Sequence, residues 1–418
     1  MWFLKCSRQL FALLISVGVV HSSAAISAEM DFSDFYDQIF QIQVVSPDAG
    51  SKSSIGSGFQ VSADGLIVTN YHVVSDYINS PESYEIRYAA HDGKEGVLEL
   101  IDFDVVNDLA LLVHPVPDEK FFSFASKPLI KGENAYALGN PGDWGILMVP
   151  GPSNGFVEHS YDEQILFSGS LNGGMSGGPS LNAMGEVVGV NVATAGSQLS
   201  FLVPAEKART MVDASRRLKP GNFQVEIADQ IKRWQRTRLG ELIEEPWERE
   251  EFAGRQLVGE IRRDIQCWGD SNDSDDERKV STAQRSCHSG DQLYVSGDLR
   301  VGLVSYLFTE SESIELNQFQ FANAQRDFWG GDNDSAFEHS TNYRCETDFL
   351  ERSDSEHGMY VRVTTCIRAY KRLEGLYDSV VLLQNQESEN AFSAYMSLSG
   401  AEKDQINAFN RRFLELSL

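Results

Sequence analysis

A serine, a histidine and an aspartate, each in its own flanking pattern, define the chemistry open to this chain. Ser176 sits in Gly174-Met175-Ser176-Gly177-Gly178-Pro179. His72 follows an apolar run in Gly65-Leu66-Ile67-Val68-Thr69-Asn70-Tyr71-His72-Val73-Val74, and Asp108 opens Asp108-Leu109-Ala110-Leu111-Leu112. A serine hydroxyl is nearly inert at neutral pH and attacks a carbonyl only when a neighbouring base takes its proton. An imidazole titrates close to working pH and suits that role. A carboxylate would hold the ring in one tautomer and stabilise the imidazolium. The glycines allow a turn that aims the amides of Gly174, Met175 and Ser176 at one point, an oxyanion hole for charge developing on a substrate oxygen.

Those side chains must be brought together by elements far apart in the chain. Taken singly, a serine among glycines is only a loop, and a histidine after a strand is a structural residue. His91, His114, His159, His288, His339 and His357 have no comparable context. Asp102 and Asp104 compete for the acid role, but Asp108 directly precedes a Leu-Ala-Leu-Leu run that reads as a buried strand. The order His, Asp, Ser, each with its own pattern, turns three weak signals into one constellation.

Residues 54 to about 215 resemble the protease domain of the HtrA (DegP/DegQ-like) family of trypsin-fold serine peptidases. The resemblance rests on Gly56-Ser57-Gly58-Phe59, Thr69-Asn70-Tyr71-His72-Val73-Val74 and Asp108-Leu109-Ala110-Leu111-Leu112. It continues through Leu138-Gly139-Asn140-Pro141-Gly142, the serine loop, Met184-Gly185-Glu186-Val187-Val188-Gly189-Val190-Asn191 and Phe201-Leu202-Val203-Pro204. It implies two six-stranded antiparallel β-barrels with the triad between them, and endopeptidase activity without ATP. It also implies that residues 167–171 and 193–199 flank the primary pocket. Neither stretch holds an acidic residue, which favours a small or medium apolar side chain at the cleavage position over Lys or Arg. Met175 stands where relatives carry a small or polar residue. Relatives carry PDZ domains downstream, yet residues 221–418 show no convincing carboxylate-binding loop.

The chain has 418 residues, enough for two domains with separate cores. The expected fold is mainly β: a trypsin-like double β-barrel over 29–220, a helical linker over 221–249 and a separate α+β domain over 250–418. Lys5 and Arg8 precede an apolar run from Leu10 to Val20 and then small residues, the pattern of a secretory signal peptide over 1–28. That run is too short to favour a membrane span, and the expected location is periplasmic or secreted. The formal net charge of −26 argues against nucleic acid and anionic membranes as partners. Protein or peptide substrates remain, with no cofactor or metal called for. A quiet binding or scaffold protein that keeps the protease fold is the rival reading.

Beyond the leader lie four cysteines, Cys267, Cys287, Cys345 and Cys366, all in the second half. An even count in an exported chain suggests two disulfides, and near-equal separations favour the local pairs 267 with 287 and 345 with 366. The acidic run from Asp270 to Glu277 lacks the glycine and closing glutamate of a calcium loop and reads as a solvated connection. Residues 330–334 read as a turn. Residues 31–45 are expected to form a short helix leading into the first strand. Pro204 opens a helix through Met211 and Val212, and Ile227, Ile231 and Trp234 share a face of the next helix. Ser399 and Glu402 suggest a capping box before a last helix with Ile406, Phe409 and Phe413 inward.

Overall fold

A computed structural model describes residues 32–417, apart from 117–118, 195–198, 276, 329–337 and 352–359. The signal-peptide segment, the turn at 330–334 and part of the pocket segment 193–199 lie outside the described residues. A 3-10 helix, Phe32–Gln38, enters the first sheet. The strand begins at Ile39, so the helix is shorter than the expected 31–45. The β-branched and aromatic residues from Ile39 on are buried on both faces, and only an extended strand can bury them so.

The first sheet contains β1 (Ile39–Ser46), β2 (Ser51–Gln60), β3 (Leu66–Thr69), β4 (Glu85–Ala90), β5 (Glu95–Val97), β6 (Glu99–Asp104) and β7 (Leu109–Val113) in the order β5-β4-β1-β2-β3-β7-β6. It is an open seven-stranded antiparallel sheet rather than the closed six-stranded barrel implied by resemblance. The second sheet is such a barrel. It is built from β8 (Asn134–Gly139), β9 (Leu147–Phe156), β10 (Ile165–Phe167), β11 (Pro179–Leu181), β12 (Val187–Thr194) and β13 (Ser200–Pro204). Strand β7 explains its own apolar sequence: Ala110 and Leu112 enter one core, and Leu109 and Leu111 enter another. A strand buried on both faces has no use for polar residues.

Helix α1 (Tyr71–Asn79) follows β3 at once. Helix α2 (Ala205–Asp213) begins after Pro204 as expected. Helix α3 (Phe223–Glu244) buries Ile227, Ile231 and Trp234. It is no loose tether. Gln230 accepts from the Val105 amide at 2.7 Å and donates to the Phe103 carbonyl at 2.9 Å, which docks α3 on the first sheet.

Beyond the short hairpin of β14 (Arg249–Phe252) and β15 (Arg255–Val258), a second seven-stranded antiparallel sheet forms. Its strands are β16 (Ile265–Ser271), β17 (Val280–Ser289), β20 (Val304–Ser313), β21 (Arg344–Glu351), β22 (Tyr360–Ala369), β23 (Tyr377–Gln386) and β24 (Asn390–Ala401), in the order β16-β17-β20-β24-β23-β22-β21. The numbers omitted there, β18 (Leu293–Ser296) and β19 (Leu299–Val301), form a separate hairpin, and α4 (Gln318–Phe328) follows β20. Helix α5 (Lys403–Ser417) buries Ile406, Phe409 and Phe413 against this sheet. The capping box is displaced: Ser399 ends inside β24, and the Glu402 amide faces Gln405 Oε1 at 3.4 Å. The cysteines pair as Cys267–Cys287 and Cys345–Cys366. Each bridge ties an outer strand of the sheet to its neighbour, Cys267 opposite Cys287 and Cys345 opposite Cys366. The acidic connection between β16 and β17 closes on Arg278, which donates to the carbonyls of Asp273 and Asp275.

The two halves share a core. Leu293, Val295 and Val301 of the β18–β19 hairpin, with Leu373 and Leu376, pack in the cluster that holds Val73, Val74 and Ile78 of α1 and Ile227 and Ile231 of α3. Residues 32–418 form one compact unit.

Candidate active site

Asn70 ends the extended segment before α1, so His72 lies in the first turn of that helix. Its imidazole Nδ1 is 2.7 Å from Asp108 Oδ2, and its backbone amide donates to Asp108 Oδ1 at 2.9 Å. The carboxylate thus grips both the ring and the main chain of one residue. Asp108 adopts a left-handed backbone, φ 51°, which aspartate tolerates better than most residues. The Asn70 side-chain amide donates to the Asp108 carbonyl at 2.8 Å and holds that conformation. Asp102 and Asp104 are engaged elsewhere. Asp102 takes the Arg216 amide at 2.9 Å, and Asp104 caps the turn through the amides of Val106 and Asn107.

Burial acts to lower the His72 pKa, but the charge of Asp108 and its hydrogen bond outweigh that effect. The imidazole is held above its ordinary value, with Arg300 opposing.

The Ser176 loop is pinned on every side. Residues 172–175 form a turn closed by Met175 N–H to Asn172 O at 3.0 Å, with Gly174 at φ 89° in the position where such a turn needs a positive φ. A Cβ on Gly174 would also strike Pro141 at 2.8 Å. The Ser57 hydroxyl donates to the Gly174 carbonyl at 2.7 Å and accepts from the Asn140 amide at 2.8 Å. The Ser57 amide donates to Ser176 O at 2.7 Å. Asn191, fully buried, donates to the carbonyls of Leu138 and Met175. Met175 places its side chain wholly in the core of the second barrel, beside Ala137, Phe167 and Leu171. Its N–H is spent on Asn172, so it is not available as the third oxyanion donor expected from sequence. The amides of Gly174 and Ser176 have no acceptor among the described residues.

Gly56 brings the two halves of the site together. A Cβ there would lie 2.5 Å from Val73, the neighbour of His72, and 3.0 Å from Ser176 O. Its absence lets the helix carrying the histidine and the loop carrying the serine close on the same strand. The Ser176 hydroxyl itself donates to the Val192 carbonyl at 2.5 Å. It makes no hydrogen bond to His72 in this structure, and such bonds are often unformed before substrate arrives.

Residues missed by motif reasoning include Ser57, Asn70 and Asn191 as clamps. Each lies inside a stretch the motifs cover; the available signal was a polar residue between glycines for Ser57 and one set in an apolar run for Asn191. Tyr294 and Arg300 left no signal. The Tyr294 ring stands edge-on to the His72 ring with centroids 6.1 Å apart, and its hydroxyl is 3.4 Å from Ser75 Oγ.

Residues 56–190 match the model of a trypsin-like peptidase domain. A probable periplasmic serine endoprotease, DegP-like, from Chlamydia pneumoniae is 30% identical over 193 residues, 43% of this chain and 38% of the relative. A protein of the same description from Brucella suis biovar 1 is 35% identical over 170 residues, 38% of this chain and 32% of the relative. The solved serine endoprotease from Yersinia pestis aligns at 23% identity and TM-score 0.39, over 44% of this chain and 64% of that one. The chain spans less than two fifths of the length of these two DegP-like relatives. Residues 56–190 are thus a trypsin-like peptidase domain, similar in sequence to that of DegP-like serine endoproteases.

Proposed function

From that domain we propose that the protein is an exported serine endopeptidase with Ser176 as nucleophile, His72 as base and Asp108 as the group that orients His72. The reading rests above all on the 2.7 Å bond between Asp108 and His72, on a helix that Gly56 lets close on the Ser176 loop. Ser176 Oγ leaves Val192, attacks the carbonyl carbon of a peptide bond and passes its proton to His72 Nε2. The carbonyl oxygen, now negative, is met by the amides of Gly174 and Ser176. His72 returns the proton to the departing amine as the C–N bond breaks, leaving an acyl-enzyme. Water then attacks that ester with His72 again taking the proton, and Ser176 is restored. Met175 serves as a core anchor for the loop.

Export is supported by the leader pattern in residues 1–28, by two disulfides and by the periplasmic description of the relatives. No helix among the described residues is long and apolar enough to cross a membrane.

A fluorophosphonate probe tests the reading. The folded wild type is expected to take up one label per chain and Ser176→Ala none, with peptide turnover falling by roughly 10⁴- to 10⁶-fold. An unlabelled, folded wild type would instead favour the scaffold reading.

A further inference from the structure

The hairpin of β18 and β19 belongs by sequence to the second half, yet it is built into the support of His72. Val295 O accepts from the Tyr71 hydroxyl at 2.9 Å and from the Asn79 amide at 3.0 Å, so one carbonyl ties both ends of α1. Leu293, Val295 and Val301 are buried in the core shared with α1. Arg238, fully buried on α3, donates to Gly302 O at 2.6 Å and fixes the end of the hairpin. A fixed hairpin presents its outward side chains at fixed places.

Two of them face each other across its strands. Tyr294 is directly opposite Arg300, whose guanidinium lies 5.3 Å from the Tyr294 ring centre. That ring is the one standing against His72. Arg300 is exposed and forms no ion pair with any described residue, in a chain with formal net charge −26. The nearest carboxylate in its own hairpin, Asp298, is bound to His339 at 2.8 Å and to Ser296 at 2.7 Å. Asp76 and Asp108 both act on Tyr294 by charge, but neither pairs with Arg300. A guanidinium with no carboxylate partner among the described residues, set over an aromatic ring that stands against His72, is suited to receive a carboxylate: planar, permanently charged and oriented by the ring.

We propose that the Tyr294–Arg300 hairpin forms a wall of the substrate cleft beside His72 and that Arg300 selects peptides carrying a carboxylate near the scissile bond. This deepens the endopeptidase reading and rests on it. The carboxylate can come from an Asp or Glu side chain or from a free C-terminus. Tyr294 acts as a positioning residue, holding the guanidinium through its face and His72 through its edge. The second half of the chain is thereby a contributor to specificity within the cleft.

The test uses the full mature chain, with competent sites counted by fluorophosphonate labelling. A cleaved core peptide, found by digesting a proteome-derived peptide library, is made with its C-terminus amidated. Glu, Gln and Lys are then walked through the positions flanking the cut, and the core is also made with a free C-terminus. The expected result is a kcat/KM advantage of about five- to tenfold for Glu over Gln at one position, or for the free carboxylate over the amide. This is the range for a charge-assisted bond partly screened by water. With rates normalised to labelled sites, Arg300→Gln is expected to erase the advantage, and Arg300→Glu to transfer it to Lys. A labelled enzyme indifferent to Glu and to the free carboxylate overturns the proposal alone, as does an advantage that survives Arg300→Gln. Failure of the wild type to label overturns the endopeptidase reading and this proposal with it.

Discussion

The two flanks of the cleft are held in opposite ways. The serine flank is secured wholly within residues 56–191. Gly174, Gly177 and Gly178 pack against backbone, and Ser57 and Asn191 clamp the loop from strands of the two protease-domain sheets. The histidine flank leans on distant chain. Asp108 grips His72 from the start of β7, and a hairpin more than two hundred residues downstream in sequence braces α1. A loop whose conformation depends on glycine dihedrals can be written into a short motif. A helix whose packing surface comes from elsewhere cannot. The comparison implies that chemistry and fine positioning are separable here, and substitutions on each flank should fail differently.

With the proposed nucleophile left in place, the largest effect is expected from Asp108→Asn, which keeps the shape but loses the charge and the acceptor that would fix the tautomer. Turnover of a short peptide should fall about 10⁴-fold with the melting temperature little changed. A drop under tenfold would mean that another group orients His72.

Next comes the serine flank. Gly177 sits at φ 84°, and a Cβ there would lie 2.2 Å from Ser57 O, which is backbone and cannot move aside. Gly177→Ala should destabilise by about 2–4 kcal/mol and cost roughly 10²–10³ in kcat as the oxyanion amides lose alignment. Denaturant melts and single-turnover kinetics measure the two losses. Wild-type kcat in this variant would contradict a tightly pinned loop.

The hairpin brace behind His72 should fail more gently. Tyr71→Phe removes one of two donors to Val295 O while Asn79 keeps the other. The expected cost is about 1 kcal/mol of stability, read in a thermal melt. No measurable change would mean that the hairpin is held by its apolar contacts alone.

The smallest effect concerns pH. As the proposed base, His72 must be neutral to act, so activity is expected to be lost as pH falls through its pKa. Asp108 holds that pKa above the ordinary value, which puts the acid limb of kcat/KM above about 6.5. Arg300 opposes Asp108, so Arg300→Gln should move the limb to higher pH, most clearly at low salt. A limb that moves to lower pH would show that Arg300 does not act on His72 by charge.

Much of the proposed site was legible because its requirements are local. Ser176 needs flanking glycines, Asp108 needs a buried strand after it, and His72 needs a strand before it. Met175 shows where local reading stops. Its amide was expected as a donor, but the turn that shapes the loop consumes it. The capping box at Ser399 failed for the same kind of reason: β24 pairs with β23 and β20 through that stretch, and the sheet outcompetes an early helix start. The open first sheet, in place of a closed barrel, follows from pairing that no single strand encodes.

The amino-acid order alone singled out the atoms of the proposed chemistry, because the proposed nucleophile, base and acid each carry a short-range pattern. It favoured the local cysteine pairs, which the register of neighbouring strands then decided. Only the tertiary structure decided that Arg300 and Tyr294 stand beside His72, that α3 is packed core and that Ser176 rests on Val192. Those outcomes come from apolar surfaces meeting across long stretches of chain, and burial is non-directional, so no local pattern announces its partner.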